Sequence, residues 1–161
     1  MTGTRLPFFV YGTLRPGGRN HDRFLRGRTR SEEPARMRGA ALYDGPGYPY
    51  AVPAPGGSVS GELVTARPEA YGALLLELDR LEEYAYTPGD PRNLYERVAR
   101  DVARADGTPV RAWVYVAAPA VAARLRARGS LVEGGDWHTR HPPPGRTRAA
   151  GPGRLPAPEG P

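Results

Sequence analysis

The stretch Pro7-Phe8-Phe9-Val10-Tyr11-Gly12-Thr13-Leu14-Arg15-Pro16-Gly17-Gly18 constrains the chain more than any other. It opens as a short apolar run of β-forming residues and breaks at Gly12. Pro16-Gly17-Gly18 then forbids a regular element directly afterwards. A buried strand that runs into such a turn ends on backbone N–H groups with no strand partner. Those donors can hold a carboxylate or a developing oxyanion without any side chain. By itself, the pattern also describes an ordinary first strand and tight turn.

The rest of the chain reads as one domain. At 161 residues with 39% hydrophobic and 9% aromatic residues, it can bury a proper core. The 21 Gly and 19 Pro point to many turns. All of the 23 basic residues behind the net charge of +6 are arginine. With the abundant Ala, Gly and Pro, that reads as codon bias from a GC-rich genome rather than as a nucleic-acid signature, so no nucleic-acid partner is expected. There is no cysteine, which excludes disulfides, thiol chemistry and cysteine-ligated zinc. No apolar run approaches the ~18 residues of a membrane span, and the first residues lack a secretory hydrophobic region. A soluble, cytoplasmic, bacterial protein is the expectation.

In chain order, Asn20 to Gly27 reads as a short helix, with His21 a capping or surface residue. The surrounding Arg15, Arg19, Arg23, Arg26, Arg28 and Arg30 read as a solvated face. Strands are expected at 35–43, 48–52 and 58–65, with Gly61 letting the last of these coil as small barrels require. Pro68 opens the clearest helix, which runs to Glu83. At about 100° per residue, Tyr71, Leu74, Leu75, Leu78 and Leu81 form its apolar stripe, and Glu77 and Arg80 face away. Glu82 departs from the pattern: it falls within about 50° of the stripe's centre. A carboxylate aimed there must be paired, protonated or facing a cavity, unless the helix frays first. An apolar setting would raise its pKa and suit it to proton transfer near neutrality. Strands at 94–103 and 109–117 flank the Asp106-Gly107 hairpin turn, with Trp113 and Tyr115 on one face. A helix at 119–128 ends at Gly129. The domain is expected to close at 137, leaving a Pro/Gly/Arg-rich tail at 138–161 without stable structure.

With these residues laid out, the chain resembles the γ-glutamylcyclotransferase-like superfamily, in its γ-glutamylamine cyclotransferase and AIG2-like branch. The matching pieces are Val10 to Gly17 with Asn20-His21, then Arg38-Gly39 with Leu42-Tyr43 and Tyr48-Pro49. They continue with Leu78-Asp79-Arg80-Leu81-Glu82, Tyr95-Glu96-Arg97 and Gly135-Asp136-Trp137. These occur in the family's order over residues 6 to about 137. The resemblance implies an α+β fold, a small mixed β-barrel flanked by a few helices. It implies Glu82 as the catalytic acid/base, and Tyr11, Gly12, Thr13 and Leu14 as the group holding the glutamyl portion. Tyr95 is implied as a pocket hydroxyl. The chain departs from the family at Glu83, where glycine is frequent, and in the long proline-rich 85–93 loop.

The implied reaction closes a γ-glutamyl amide to 5-oxoproline and frees an amine, without metal or cofactor. The sequence offers no nucleophilic cysteine, Gly-x-Ser-x-Gly elbow or phosphate loop for a competing chemistry. A non-catalytic protein that binds a small metabolite on the same scaffold is the alternative, and nucleic-acid association ranks third. The barrel and helices need no partner to bury their core, so a monomer is expected.

Overall fold

A computed structural model describes residues 5–82 and 90–142. Its strands are β1 (Phe8–Val10), β2 (Thr29–Tyr43), β3 (Tyr50–Ala66), β4 (Tyr95–Arg104) and β5 (Pro109–Ala117). They close into a barrel in the order β1-β3-β2-β4-β5. β1 runs antiparallel to β3, with Phe9 opposite Leu63, and parallel to β5, where Phe8 faces Trp113. That parallel contact closes the ring and makes the sheet mixed. The helices are α1 (His21–Phe24), α2 (Tyr71–Leu81), α3 (Pro119–Arg128) and α4 (Trp137–Arg140).

Alternation along the strands divides the core in two. Phe9, Met37, Leu42, Val59, Leu63, Val102 and Val114 pack with Val132 and Trp137 inside the barrel. Phe8, Val10, Val52, Val64 and Tyr115 point the other way, under Leu25, Leu74, Leu78, Val121 and Ala122 from the helical segments. Full burial of side chains the size of Leu74 and Leu78 is worth about 1.5–3 kcal/mol each. That is ample to hold α2 against the barrel, and the apolar stripe is what positions the helix.

The longest hairpin differs from the sequence expectation. The segments read as separate strands at 48–52 and 58–65 belong to the continuous β3, and β2 begins six residues earlier than expected. Residues 29–34 carry arginine and glutamate and include Pro34, so their composition resembles a solvated loop. They are strand because β3 pairs with them: Glu32 faces Val64 and Pro34 faces Glu62. The break inferred near 53–57 corresponds to a bulge. Arg38 pairs with Ser58 and Ala40 with Pro53, and Gly39 and Gly56 adopt φ of 82° and 81°. Gly61 has a second role beside the one expected. A Cβ there would lie 2.2 Å from the Val10 carbonyl oxygen, so its bareness is what lets β1 cross so closely.

α2 begins as a 3-10 turn at Pro68–Ala70 and ends at Leu81, with Glu82 as its C-cap. The domain boundary expected at 137 falls inside a helix. Trp137 is buried, and α4 is capped by the Asp136 side chain, which accepts from the His138 N–H. Glu83, most of the 85–93 loop and residues 143–161 lie outside the described residues.

Candidate active site

The turn after β1 is built by its own hydrogen bonds. The Arg15 N–H donates to the Gly12 carbonyl at 3.1 Å, and the Gly18 N–H to the Arg15 carbonyl at 2.7 Å. Thr13 is tied twice to Asn20: its carbonyl accepts from the Asn20 N–H at 3.0 Å, and its Oγ1 from Asn20 Nδ2 at 2.9 Å. None of these bonds uses the N–H of Gly12, Thr13 or Leu14 as donor. Gly12 is required by a neighbour, since a Cβ would sit 2.7 Å from Pro49 Cδ.

Arg15 anchors the turn from beneath, which corrects its reading as part of a solvated face. It is 8% exposed. Its Nε and Nη2 donate to the two carboxylate oxygens of Glu62 at 2.7 and 3.3 Å, and Nη1 donates to Asp136 Oδ1 at 2.8 Å. A bidentate guanidinium fixes orientation as well as distance. His21 is likewise more than a cap, because its Nε2 lies 2.6 Å from Glu32 Oε1.

Opposite the turn, the last turn of α2 presents Glu82. Its backbone still donates to the Leu78 carbonyl at 2.9 Å, so the helix holds to this residue and does not fray before it. Glu82 is half-buried and lines a small open cavity of about 40 Å³ together with Tyr11, Gly12, Thr13, Leu14, Tyr48, Tyr95 and Tyr115. Its removal from water pushes its pKa up from 4.5 to about 7. A carboxyl in that range can take up and release a proton near neutrality.

All six residues singled out in the sequence line this one cavity, but two of them contribute differently from expectation. The Tyr11 hydroxyl is held in the barrel, donating to the Tyr115 carbonyl and accepting from the Ala51 N–H. Burial, and then the nearby Glu82, raises its pKa. What Tyr11 offers the cavity is therefore backbone. The Tyr95 hydroxyl donates to the Pro49 carbonyl at 2.5 Å, and its ring stacks on Tyr50 with centroids 4.7 Å apart. It is a cavity wall that fixes the Tyr48-Pro49 loop, and its proton is already committed.

Three further residues complete the site. Tyr48 and Pro49 close the cavity from the loop after β2, and Tyr115 reaches it from β5. Tyr115 donates to Asp79 Oδ1 at 2.6 Å, and that oxygen also lies 3.1 Å from Arg97 Nε. Asp79 thus ties α2 to both strands one turn before Glu82. The shared face of Trp113 and Tyr115 was a sequence signal that could have found Tyr115. Among the described residues, no group of three or more His, Asp or Glu side chains could hold a metal ion. No described helix is long and apolar enough to cross a membrane.

Comparison with known proteins identifies the family. The model of the family "Gamma-glutamyl cyclotransferase, AIG2-like" matches residues 8–139. A curated relative from Niallia circulans, gamma-L-glutamyl-butirosin B gamma-glutamyl cyclotransferase, is 37% identical over 109 residues. The match covers 67% of this chain and 64% of that protein, so the chain spans just under two thirds of its relative. Among solved structures, an uncharacterized protein from Pyrococcus horikoshii superposes with a TM-score of 0.54 at 23% identity, covering 84% of this chain and 92% of the other. A protein from Arabidopsis thaliana gives a TM-score of 0.52 at 28% identity, covering 70% and 62%. The barrel and the matched residues together show that the chain belongs to the γ-glutamyl cyclotransferase, AIG2-like family.

Proposed function

We propose that the protein cyclises the γ-glutamyl group of a small γ-glutamyl amine or amino acid to 5-oxoproline, releasing the free amine. One observation carries this reading: a carboxyl with its pKa near 7, Glu82, shares a cavity with the backbone of the Tyr11-to-Leu14 turn. The family's description and the name of the Niallia circulans relative support it.

The substrate brings its own nucleophile. Its α-amine reaches the γ-carbonyl once the chain is folded, so the site supplies orientation, charge and protons. Ionised Glu82 accepts a proton from the α-ammonium. The freed nitrogen attacks the γ-carbonyl carbon, and the oxygen takes the electron pair. N–H groups of the Gly12–Leu14 turn are the donors that would hold that oxyanion or the substrate's α-carboxylate. As the carbonyl re-forms, the bond to the leaving nitrogen breaks, and Glu82 returns its proton there. The new ring nitrogen gives up its surplus proton to the released amine or to water, leaving a neutral lactam N–H. One carboxyl makes both transfers because burial keeps its two forms close in energy near neutrality. A cytoplasmic monomer acting on a small molecule is part of this proposal.

The test is Glu82→Gln, which keeps the shape and removes the proton carrier. Release of 5-oxoproline from γ-glutamyl amides, followed by mass spectrometry, is expected to fall by about 10²- to 10⁴-fold. Unchanged turnover would remove Glu82 from the reaction. Thermal stabilisation of the wild-type protein by these amides, with no 5-oxoproline formed, would instead indicate a binding protein.

A further inference from the structure

Glu82 separates two spaces. On one side is the cavity lined by the turn. On the other is a second cavity of about 150 Å³, lined by Thr13, Arg19, Asn20, Tyr48, Leu81, Glu82, Leu94 and Tyr95. Thr13, Tyr48, Glu82 and Tyr95 belong to both walls, so the spaces adjoin at the carboxyl. If the glutamyl portion lies against the turn, the nitrogen that receives Glu82's proton must lie at this junction. Its substituent then extends into the outer space.

The outer wall is chemically lopsided. Leu81, Leu94, Tyr48 and Tyr95 are apolar or aromatic, and Asn20 already donates to Thr13. Among the described residues, Glu82 is the one acid on that wall and Arg19 the one cation. Arg19 makes no ion pair or hydrogen bond with any described residue. Its guanidinium rests against the loop after β2, with Nη1 and Nη2 lying 3.3 and 3.4 Å from where a Cβ on Gly47 would stand. Gly47 has φ of 89° and no side chain to displace it. The other arginine of the turn, Arg15, is fully engaged with Glu62 and Asp136. Arg19 therefore lines the outer space and also a neighbouring cavity bounded by Gly18, Gly47 and Trp137, the two meeting at Thr13 and Arg19. Its guanidinium, a permanently charged fork with five donors, lies on the Gly47 side of that junction.

We propose that Arg19 is a specificity-determining residue that receives an anionic group, a carboxylate, on the leaving amine, selecting acid-bearing amines over neutral or cationic ones. The assignment rests on the cyclotransferase reading for what occupies the outer space. A guanidinium–carboxylate contact at this position is remote from the bonds that break. It is therefore expected in KM and binding more than in kcat.

The experiment compares γ-glutamyl amides of glycine, β-alanine and 4-aminobutyrate with the neutral γ-glutamyl propylamide. It uses wild type, Arg19→Gln and Arg19→Lys, with melting curves confirming that the variants fold. In wild type, at least one acid is expected to exceed the neutral amide by about 10- to 100-fold in kcat/KM. That ratio is expected to fall close to one in Arg19→Gln and to recover in part in Arg19→Lys. Equal use of acids and the neutral amide by wild type, or a ratio unchanged in Arg19→Gln, would overturn the assignment. Calorimetric binding of the same amides to Glu82→Gln, with and without Arg19→Gln, separates the two readings. A carboxylate preference in binding that depends on Arg19, with no turnover by wild type, upholds Arg19 and rejects the cyclotransferase. Turnover or binding without that preference rejects Arg19.

Discussion

Glu82 should make the folded protein less stable, and the size of that effect follows from its burial. Its carboxyl moves from 4.5 in the unfolded chain to about 7 in the fold. At about 1.4 kcal/mol per pH unit, the shift corresponds to about 3.5 kcal/mol at most. Relaxation around an open cavity leaves about 1–3 kcal/mol to be measured. The sign follows from proton counting. Below about pH 4.5, both states carry the proton and the site costs nothing. Between there and about 7, the folded state holds a proton that the unfolded chain has lost, so stability falls as pH rises. Above about 7, the full penalty is present. Glu82→Gln removes the titration, so the variant is expected to be more stable than wild type by about 1–3 kcal/mol at pH 8, with the gain shrinking towards pH 4.5. Urea unfolding of both proteins across pH 4.5–8 measures this difference, and comparing the two cancels every other titrating group. A gain independent of pH would show that the carboxyl is not held out of water and would refute the electrostatic argument. In the proposed reaction, a carboxyl that weakens its own fold is a site working against stability.

Two other substitutions probe the frame. Arg15→Met leaves Glu62 and Asp136 without their guanidinium and is expected to cost about 3 kcal/mol in denaturant unfolding; an unchanged midpoint would show that the turn does not depend on it. Tyr95→Phe leaves the Pro49 carbonyl unpaired and should cost about 1–3 kcal/mol. Its effect on 5-oxoproline release should follow the displacement of Pro49, leaving the pH profile set by Glu82 in place. A changed pH profile would restore Tyr95 as a proton-handling hydroxyl.

What could be read from the sequence follows from where local rules decide the structure. The helix bearing Glu82 was legible because its stripe needs only 3.6-residue spacing, and one carboxylate broke that spacing. The turn after β1 was legible because glycine and proline act locally. The first part of β2 was not: a run of Arg and Glu with a proline becomes strand only when β3 lies beside it, and that pairing is non-local. Arg15 and Arg19 stand four residues apart and look alike in the sequence, yet one is buried between two carboxylates and the other is exposed and lines the outer space. The fates of the Tyr11 and Tyr95 hydroxyls were hidden for the same reason, since their acceptors are carbonyls on distant strands and loops.

The strand that leads into the turn is three residues long. It is joined to β5 at Phe8 opposite Trp113, with the Trp113 N–H donating to the Pro7 carbonyl at 2.8 Å. The seam of the barrel and the floor of the site are thus one continuous piece of backbone. A molecule gripped by the Gly12–Leu14 amides also clamps the ring at its shortest joint, so occupancy and closure of the barrel reinforce each other.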